Sequence, residues 1–169
     1  RREKHVTTRY GFRRMTEADL PMLRQWLQTP DAAAWWGALD DEMENLAADL
    51  HEPGMRLWIV SLDDTPFAFL QDYDPHSWDW HPFNRLRNGT RGIDQTIGVT
   101  EMLGKGHGSA FIAQHVQRLF EEGAPMVCTD PDPGNARAIR AYEKAGFTRY
   151  AQRSTEWGEC LLMLARVSI

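Results

Sequence analysis

The stretch MLGKGHGS, Met102 to Ser109, sets three glycines at every second position. It lies between a strand pattern, RGIDQTIGV, and an amphipathic helix pattern that runs from Ser109 with Ile112, Val116, Leu119 and Phe120 on one face. Glycines there let the backbone approach a ligand closely, and their N–H groups join the free donors of the helix's first turn. The stretch therefore predicts an anion cradle, with a plain helix-start turn as the alternative. Its spacing excludes two common phosphate loops. A Walker A loop needs Lys and then Ser or Thr directly after its last glycine, whereas Lys105 lies inside this run and His107 separates the later glycines. A dinucleotide-binding fingerprint needs a third glycine where Ser109 stands.

The rest of the chain frames this turn. TTRYGFRRM alternates as a first strand, and TEADL carries a capping signature, Thr16 with Asp19. Leu20, Leu23, Trp26 and Leu27 make an apolar helical stripe, with Pro21 near the helix start. DDEMENLAADL reads as a second helix closed by EPG. RLWIVSL and PFAFLQDY read as strands joined through Asp63 and Asp64. Residues 74 to 90 have no clean period and read as a long loop, a frequent place for function. After the glycine-led helix, closed by Gly123 and Pro125, come a strand, PMVCTD, and a helix, NARAIRAYEKAG, with Asn135 as N-cap and Gly146 just past its end. Two strands, FTRYAQRS and CLLMLARV, follow. This mixed order predicts one α+β or α/β domain over residues 1–169, without repeats.

Composition narrows the partners. A net charge of −5 argues against nucleic acid and permits a cationic ligand. No apolar run approaches the ~18 residues of a membrane helix. The start, RREKHVTTRYGF, lacks a signal-peptide core, and Arg1 to His5 reads as a frayed basic arm. Cys128 and Cys160 form no disulfide framework or metal spacing, which predicts buried thiols in a cytoplasmic protein. The sequon at Asn88 then carries no meaning.

A second constellation, TDPDPGNARAIRAYEKAGF, follows about 20 residues after the glycines. Asn135 and Tyr142 are two turns apart on one helix face. Taken singly they are an N-cap and a core tyrosine; taken with the glycines they can face the end of a pantetheine arm. RGIDQ (Arg91 to Gln95), LGKGHGS (Leu103 to Ser109), this segment and AWWG (Ala34 to Gly37) together carry a resemblance. The chain resembles the GNAT superfamily of acetyl-CoA-dependent N-acetyltransferases, more narrowly the aminoglycoside 6′-N-acetyltransferases. The likeness runs from Met15 to about Met163, with residues 74 to 90 matching poorly. It implies the GNAT fold, an α/β sandwich in which helices flank a mixed, mostly antiparallel sheet. It also implies acetyl-CoA as cosubstrate, no metal, and a polyamine or aminosugar substrate for a monomer or homodimer.

The resemblance also implies roles. Gly104, Lys105, Gly106, His107, Gly108 and Ser109 cradle pyrophosphate, with Leu103 where the wider family often has Gln or Arg. A main-chain N–H near Thr96, Ile97 or Gly98 faces the thioester carbonyl, with a bulge at Gly98 splaying the strand. Asn135 lines the cofactor arm, and Tyr142 is the candidate acid or hydrogen-bond donor to sulfur. Asp94 binds the ammonium and accepts its proton; independently, Asp is out of place mid-strand, and its plain alternative is a salt bridge with Arg91. Asp130 is a substrate carboxylate or an Asp-Pro turn. Trp35 and Trp36 wall a sugar-binding cleft or are simply core, Gln71 and Tyr73 match family positions at the substrate cleft, and Trp78 and Trp80 correspond to a tryptophan pair in the family's loop with a different spacing. Glu156 is displaced from the family's hairpin acid. His76, Asp79 and His81 in HSWDWH carry only a weak metal reading. Two other functions stay open: a GNAT enzyme for a siderophore-type amine or protein N-terminus, and a non-catalytic CoA-binding module.

Overall fold

The structure, a computed structural model, describes residues 9–156 and 158–167; the basic arm lies outside the described residues. The helices are α1 (Leu20–Leu27), α2 (Pro30–Ala33), α3 (Leu39–Asp49), α4 (His107–Glu121) and α5 (Ala136–Lys144). The strands are β1 (Gly11–Arg14), β2 (Met55–Leu62), β3 (Thr65–Tyr73), β4 (Arg91–Ile97), β5 (Met126–Thr129), β6 (Thr148–Thr155) and β7 (Gly158–Arg166). They form one sheet in the order β1-β2-β3-β4-β5-β7-β6. Every neighbouring pair is antiparallel except β4 and β5.

Local chemistry explains the turns. Asp63 and Asp64 both adopt positive φ, 49° and 62°, the hairpin geometry that Asp tolerates. Gly146, at φ 105°, closes α5 in a Schellman motif: Phe147 N–H bonds the Tyr142 carbonyl and Gly146 N–H that of Glu143. The motif also seats Phe147 edge-on against the Tyr142 ring, 5.4 Å between centroids. α4 begins at His107, two residues before the Ser109 start expected from sequence. Gly106, at φ 81°, makes the turn, so His107 and Gly108 are already helical.

The sheet's two faces are covered separately. Phe111, Ile112, Val116 and Leu119 of α4 and Ile139 and Tyr142 of α5 pack with Val60, Leu70, Ile93 and Met163. Leu23, Trp26 and Leu46 of α1 and α3 pack with Leu57, Ile59, Phe69 and Tyr73 on the other. Under the 74–90 loop, Phe83 closes over Cys128, Cys160, Leu162 and Leu164; both thiols are buried and no disulfide joins them.

β4 and β5 meet only at Arg91–Val127 and Gly92–Cys128, then part. Pro131 and Pro133 follow β5 and have no N–H to extend its pairing. The Pro131 carbonyl instead accepts from Leu161 N–H at 2.9 Å, on the β7 side. This corrects the role expected of Gly98. Its N–H stays paired with Phe67 at 2.8 Å, and the β3–β4 register is unbroken. Glycine is required at 98 for room: a Cβ would meet Trp26 Cγ at 2.0 Å. Among the described residues no helix is long and apolar enough to cross a membrane.

Candidate active site

The gap between β4 and β5 opens into a cleft of about 1150 Å³. Because the Gly98–Phe67 pair is hydrogen-bonded, antiparallel alternation turns the Gln95 and Ile97 backbone groups away from β3, toward the gap. Thr96 and Gly98 face β3 instead, so of the three expected amides only that of Ile97 points into the opening. The Thr129 hydroxyl crosses to the Ile93 carbonyl at 2.9 Å, marking where the strands begin to part.

One wall is the turn into α4. Leu103, Gly104, Gly106, His107, Gly108 and Ser109 line the cleft. Gly104 at φ 71° and Gly106 at φ 81° hold left-handed conformations, which leave the first amides of α4 without partners on their own helix. Gly108 sits against Ala141 of α5; a Cβ on it would lie 3.9 Å from that of Ala141. Lys105 is exposed on the outside of the turn and does not line the cleft. Asn135 caps α5, its Oδ1 accepting from Ala138 N–H at 3.2 Å, and lines the same wall.

Strand alternation decides which side chains meet at the gap. Ile93 points to the α4–α5 face, so Gln95 does too and Asp94 points to the α1–α3 face. Tyr142, on α5, is buried with its hydroxyl beside Thr129 and Gln95. Burial, and then the charge of Asp94, push its phenol above the usual value. Asp94 accepts from Gln71 Nε2 at 2.9 Å and lies within hydrogen-bond reach of Asp130. Burial raises the Asp94 carboxyl, and burial followed by the Asp94 charge raises that of Asp130 well above the carboxylate range. Arg91, the alternative partner for Asp94, pairs with Asp72 on the opposite face.

Beyond this pair lies a second cavity of about 560 Å³. Trp35, Trp36, Gln71, Tyr73, Trp78 and Trp80 all line it. Trp35 is 48% exposed and Trp80 62%, whereas Tyr73 is buried with its ring over Gly92. His81 stacks within this aromatic group and accepts from Phe83 N–H; burial lowers its pKa to about 4. His76 turns instead to Asp74. Among the described residues no cluster of three His, Cys, Asp or Glu could hold a metal ion.

Sequence reasoning missed the carboxylates opposite the aromatics. Glu42 and Asp49 of α3 line this cavity, as do Asp132 and Glu159. Glu42 is anchored by Gly37 N–H at 3.2 Å. Burial, then Glu52, Glu42 and Asp94, push Asp49 up to about 6. The only signal was the spacing Glu42, Asn45, Asp49 at i, i+3, i+7, which in sequence looks like a solvated helix face. Of the two exposed hairpin acids, Glu159 lines the cavity and Glu156 does not.

Known proteins share this architecture. Residues 15–155 match the acetyltransferase (GNAT) domain family. The chain is 34% identical over 165 residues to the aminoglycoside N(6′)-acetyltransferase type 1 of Klebsiella pneumoniae, covering 90% of this chain and 81% of that protein. It superposes on the aminoglycoside acetyltransferase AAC(6′)-Ib in complex with coenzyme A and kanamycin with a TM-score of 0.85 at 34% identity, covering 94% and 95% of the two chains. AAC(6′)-Ib in complex with parmomycin and acetyl-CoA gives 0.84 at 34%, covering 93% of each. With a glycine turn at the start of α4, a sheet parted beside it and a family match spanning both, this chain belongs to the GNAT acetyltransferases.

Proposed function

We propose that this protein transfers the acetyl group of acetyl-CoA to a primary amine of a polycationic aminosugar, the 6′-amine of an aminoglycoside. The observation that carries this reading is a carboxylate-lined cavity adjoining the cleft that holds the glycine turn. The turn into α4 lines the first cavity, Asp49 and Glu159 line the second, and Glu42, Asp94, Asp130 and Asp132 line both. An anionic cofactor on the turn and a polycation among the carboxylates then meet beside the gap between β4 and β5. The AAC(6′)-Ib complexes, which hold coenzyme A or acetyl-CoA with aminoglycosides, support the same pairing.

The residues divide the chemistry. Amides of Gly104 to Ser109 hold the pyrophosphate, and the free edge of β4 at Gln95 and Ile97 holds the pantetheine arm. Ile97 N–H donates to the carbonyl oxygen as negative charge develops there. The aromatic walls, Trp35, Trp36, Tyr73, Trp78 and Trp80, carry the sugar rings, with Gln71 fixing Asp94. Asp94 and Asp130 bind the ammonium; their raised pKa values bring them nearer that of an amine and make Asp94 a better proton acceptor than an exposed carboxylate. The ammonium gives one proton to Asp94, the freed amine nitrogen attacks the thioester carbon, the second nitrogen proton passes to solvent, the C–S bond breaks, and sulfur leaves as thiolate. Tyr142 donates a hydrogen bond to that thiolate. Its raised pKa keeps the phenol protonated but opposes full transfer to a thiol of ordinary pKa near 8.5, so the hydrogen bond is its main contribution. The whole site belongs to one domain, and two buried cysteines in no disulfide fit a reducing compartment, the cytoplasm.

The test is thiol release with acetyl-CoA and three amine sets: aminoglycosides with a free 6′-amine, siderophore-type amines and peptide N-termini. Acetylation of the first set at the highest kcat/KM is expected. Preference for either other set would replace the substrate while leaving the family unchanged. Tyr142→Phe should lower kcat by roughly tenfold or more with CoA affinity kept, as for a contact that strengthens in the transition state. Unchanged kcat with chemistry limiting would make Tyr142 a packing residue.

A further inference from the structure

One ion pair joins two walls of the cleft. Arg137 Nη1, in the first turn of α5, donates to Asp31 Oδ1 of α2 at 3.3 Å, across 106 residues of sequence. Both residues line the cleft that holds the turn into α4. A second contact lies beside this pair. The Trp35 indole rests on the β5–α5 loop, where a Cβ on Gly134 would meet Trp35 Cη2 at 3.6 Å. Residues 30–37 thus form a strap that reaches the start of α5. Trp35 and Trp36 line both the cleft and the second cavity, so the strap is a wall that the two share. Its inner end is seated firmly: Trp36 packs edge-on against Phe69, and Gly37 N–H donates to Glu42. Its outer end is held weakly. The Arg137 and Asp31 side chains are 57% and 46% exposed, and exposed pairs contribute little. Arg137 also lies one turn before Ala141, roughly 6 Å along the helix axis, and Ala141 sits against Gly108 of the glycine turn. Arg140 and Lys144 line the same wall, so an anion there meets a basic helix face. A guanidinium can bind a phosphate through two parallel N–H donors, a better match than its single contact with Asp31.

We propose that Asp31 and Arg137 form a latch that couples the cofactor and amine sites; the proposal rests on the coenzyme A reading above. With the cleft empty, the pair pins the strap to α5 and neutralises Asp31. Coenzyme A draws Arg137 onto its phosphates. The strap is then released with its two tryptophans, and the Asp31 carboxylate is left unpaired near a cationic substrate. One ion pair is exchanged for another, and no covalent bond changes. Each ligand favours the other, by the same factor whichever binds first.

Titration calorimetry of the full chain measures the coupling, with kanamycin titrated alone, with CoA present and with pantetheine present. In the wild type CoA should tighten kanamycin by roughly threefold, as for the release of an exposed ion pair. Pantetheine, which lacks the phosphates, should not. Asp31→Asn and Arg137→Gln, both at exposed positions, should each bring the coupling factor close to one. A direct attraction between bound CoA and kanamycin would persist in both variants, so its loss separates the latch from simple charge complementarity. Hydrogen exchange gives a second reading. The amides of Ala33, Ala34, Trp35 and Trp36 bond back to Thr29, Pro30 and Ala32. CoA should speed their exchange in the wild type and leave it unchanged in the variants. An absence of coupling in the wild type, equal coupling in the wild type and both variants, pantetheine acting as well as CoA, or slower strap exchange on CoA addition would each overturn the latch. Failure of the wild type to bind CoA would overturn the coenzyme A reading and the latch with it, a result distinct from normal CoA binding with coupling that the variants do not alter.

Discussion

Asp94 and Gln95 are adjacent, yet their side chains leave β4 on opposite faces, one toward the carboxylates and one toward Tyr142. In the function proposed above, that single alternation lets an amine approach from one side of the sheet and a thioester from the other. Burying Asp94 beside Asp130 costs the apo protein stability. Its folded pKa is raised, so the penalty is absent below the unfolded value, near 3.9, and grows as pH rises through the folded value. Asp94→Asn should therefore raise the Tm of the unliganded protein at pH 8 and lose that advantage near pH 3. The same variant removes a charge-assisted hydrogen bond worth roughly 1.5–3 kcal/mol, about tenfold to a hundredfold in kcat/KM for aminoglycosides. Melting curves at both pH values with steady-state kinetics check the pair of effects. A destabilised but fully active variant would give Asp94 a structural role only.

At the scale of elements, the glycines separate into two kinds that sequence treats alike. Gly98 lies under Trp26, where a side chain cannot fit; Gly108 lies in α4 with only ordinary contacts around a Cβ, 3.8 Å to Ile97 and 3.9 Å to Ala141. Gly108→Ala should leave the fold intact or stabilise it by up to ~1 kcal/mol, the helix preference of Ala over Gly. It should nevertheless weaken CoA binding, because the methyl group enters the cradle. Calorimetry of the variant with CoA and thermal melts without it distinguish the two effects; unchanged CoA affinity would remove Gly108 from the phosphate site. The loop and capping residues around these elements were legible beforehand: Asn135, Gly146 and the Asp63–Asp64 turn act as their chemistry dictates. The parting of β4 from β5 was legible only as an outcome. Its cause, two prolines after β5 and a turn of that strand toward β7, depends on a partner strand some 30 residues further along the chain.

Across the whole molecule, six carboxylates gather on the second cavity although the net charge is only −5. A polycation should therefore bind less tightly as salt rises, since partly exposed carboxylates are screened over about 10 Å at 0.1 M. Affinity should also fall from pH 7 to pH 5, because Asp49, with its pKa near 6, loses its charge in that range. Asp49→Asn should weaken binding at pH 7 and flatten the pH dependence. Titration calorimetry with an aminoglycoside at both pH values checks this, and an unaltered pH profile in the variant would place Asp49 outside the binding field. On the far face Asp72 accepts from Arg56, Trp58, His115 and Arg91, tying β2, β3, β4 and α4 together behind the site.

The sequence alone determined the elements and their chemistry. Hydrophobic periods, caps and glycine spacing depend on neighbours within a turn or two, and those neighbours are adjacent in the chain. It was sufficient for the glycine turn before α4, the Asn135 cap two turns from Tyr142 and the misfit Asp94. Only the tertiary structure decided which groups share a site. Glu42 and Asp49 come to line the aromatic cavity because α3 packs on that face of the sheet, and Tyr10 reaches His107 across 97 residues. Gly98 needs its missing side chain because Trp26 lies over it. Each of these relations is set by distance through space, which no pattern along the chain encodes.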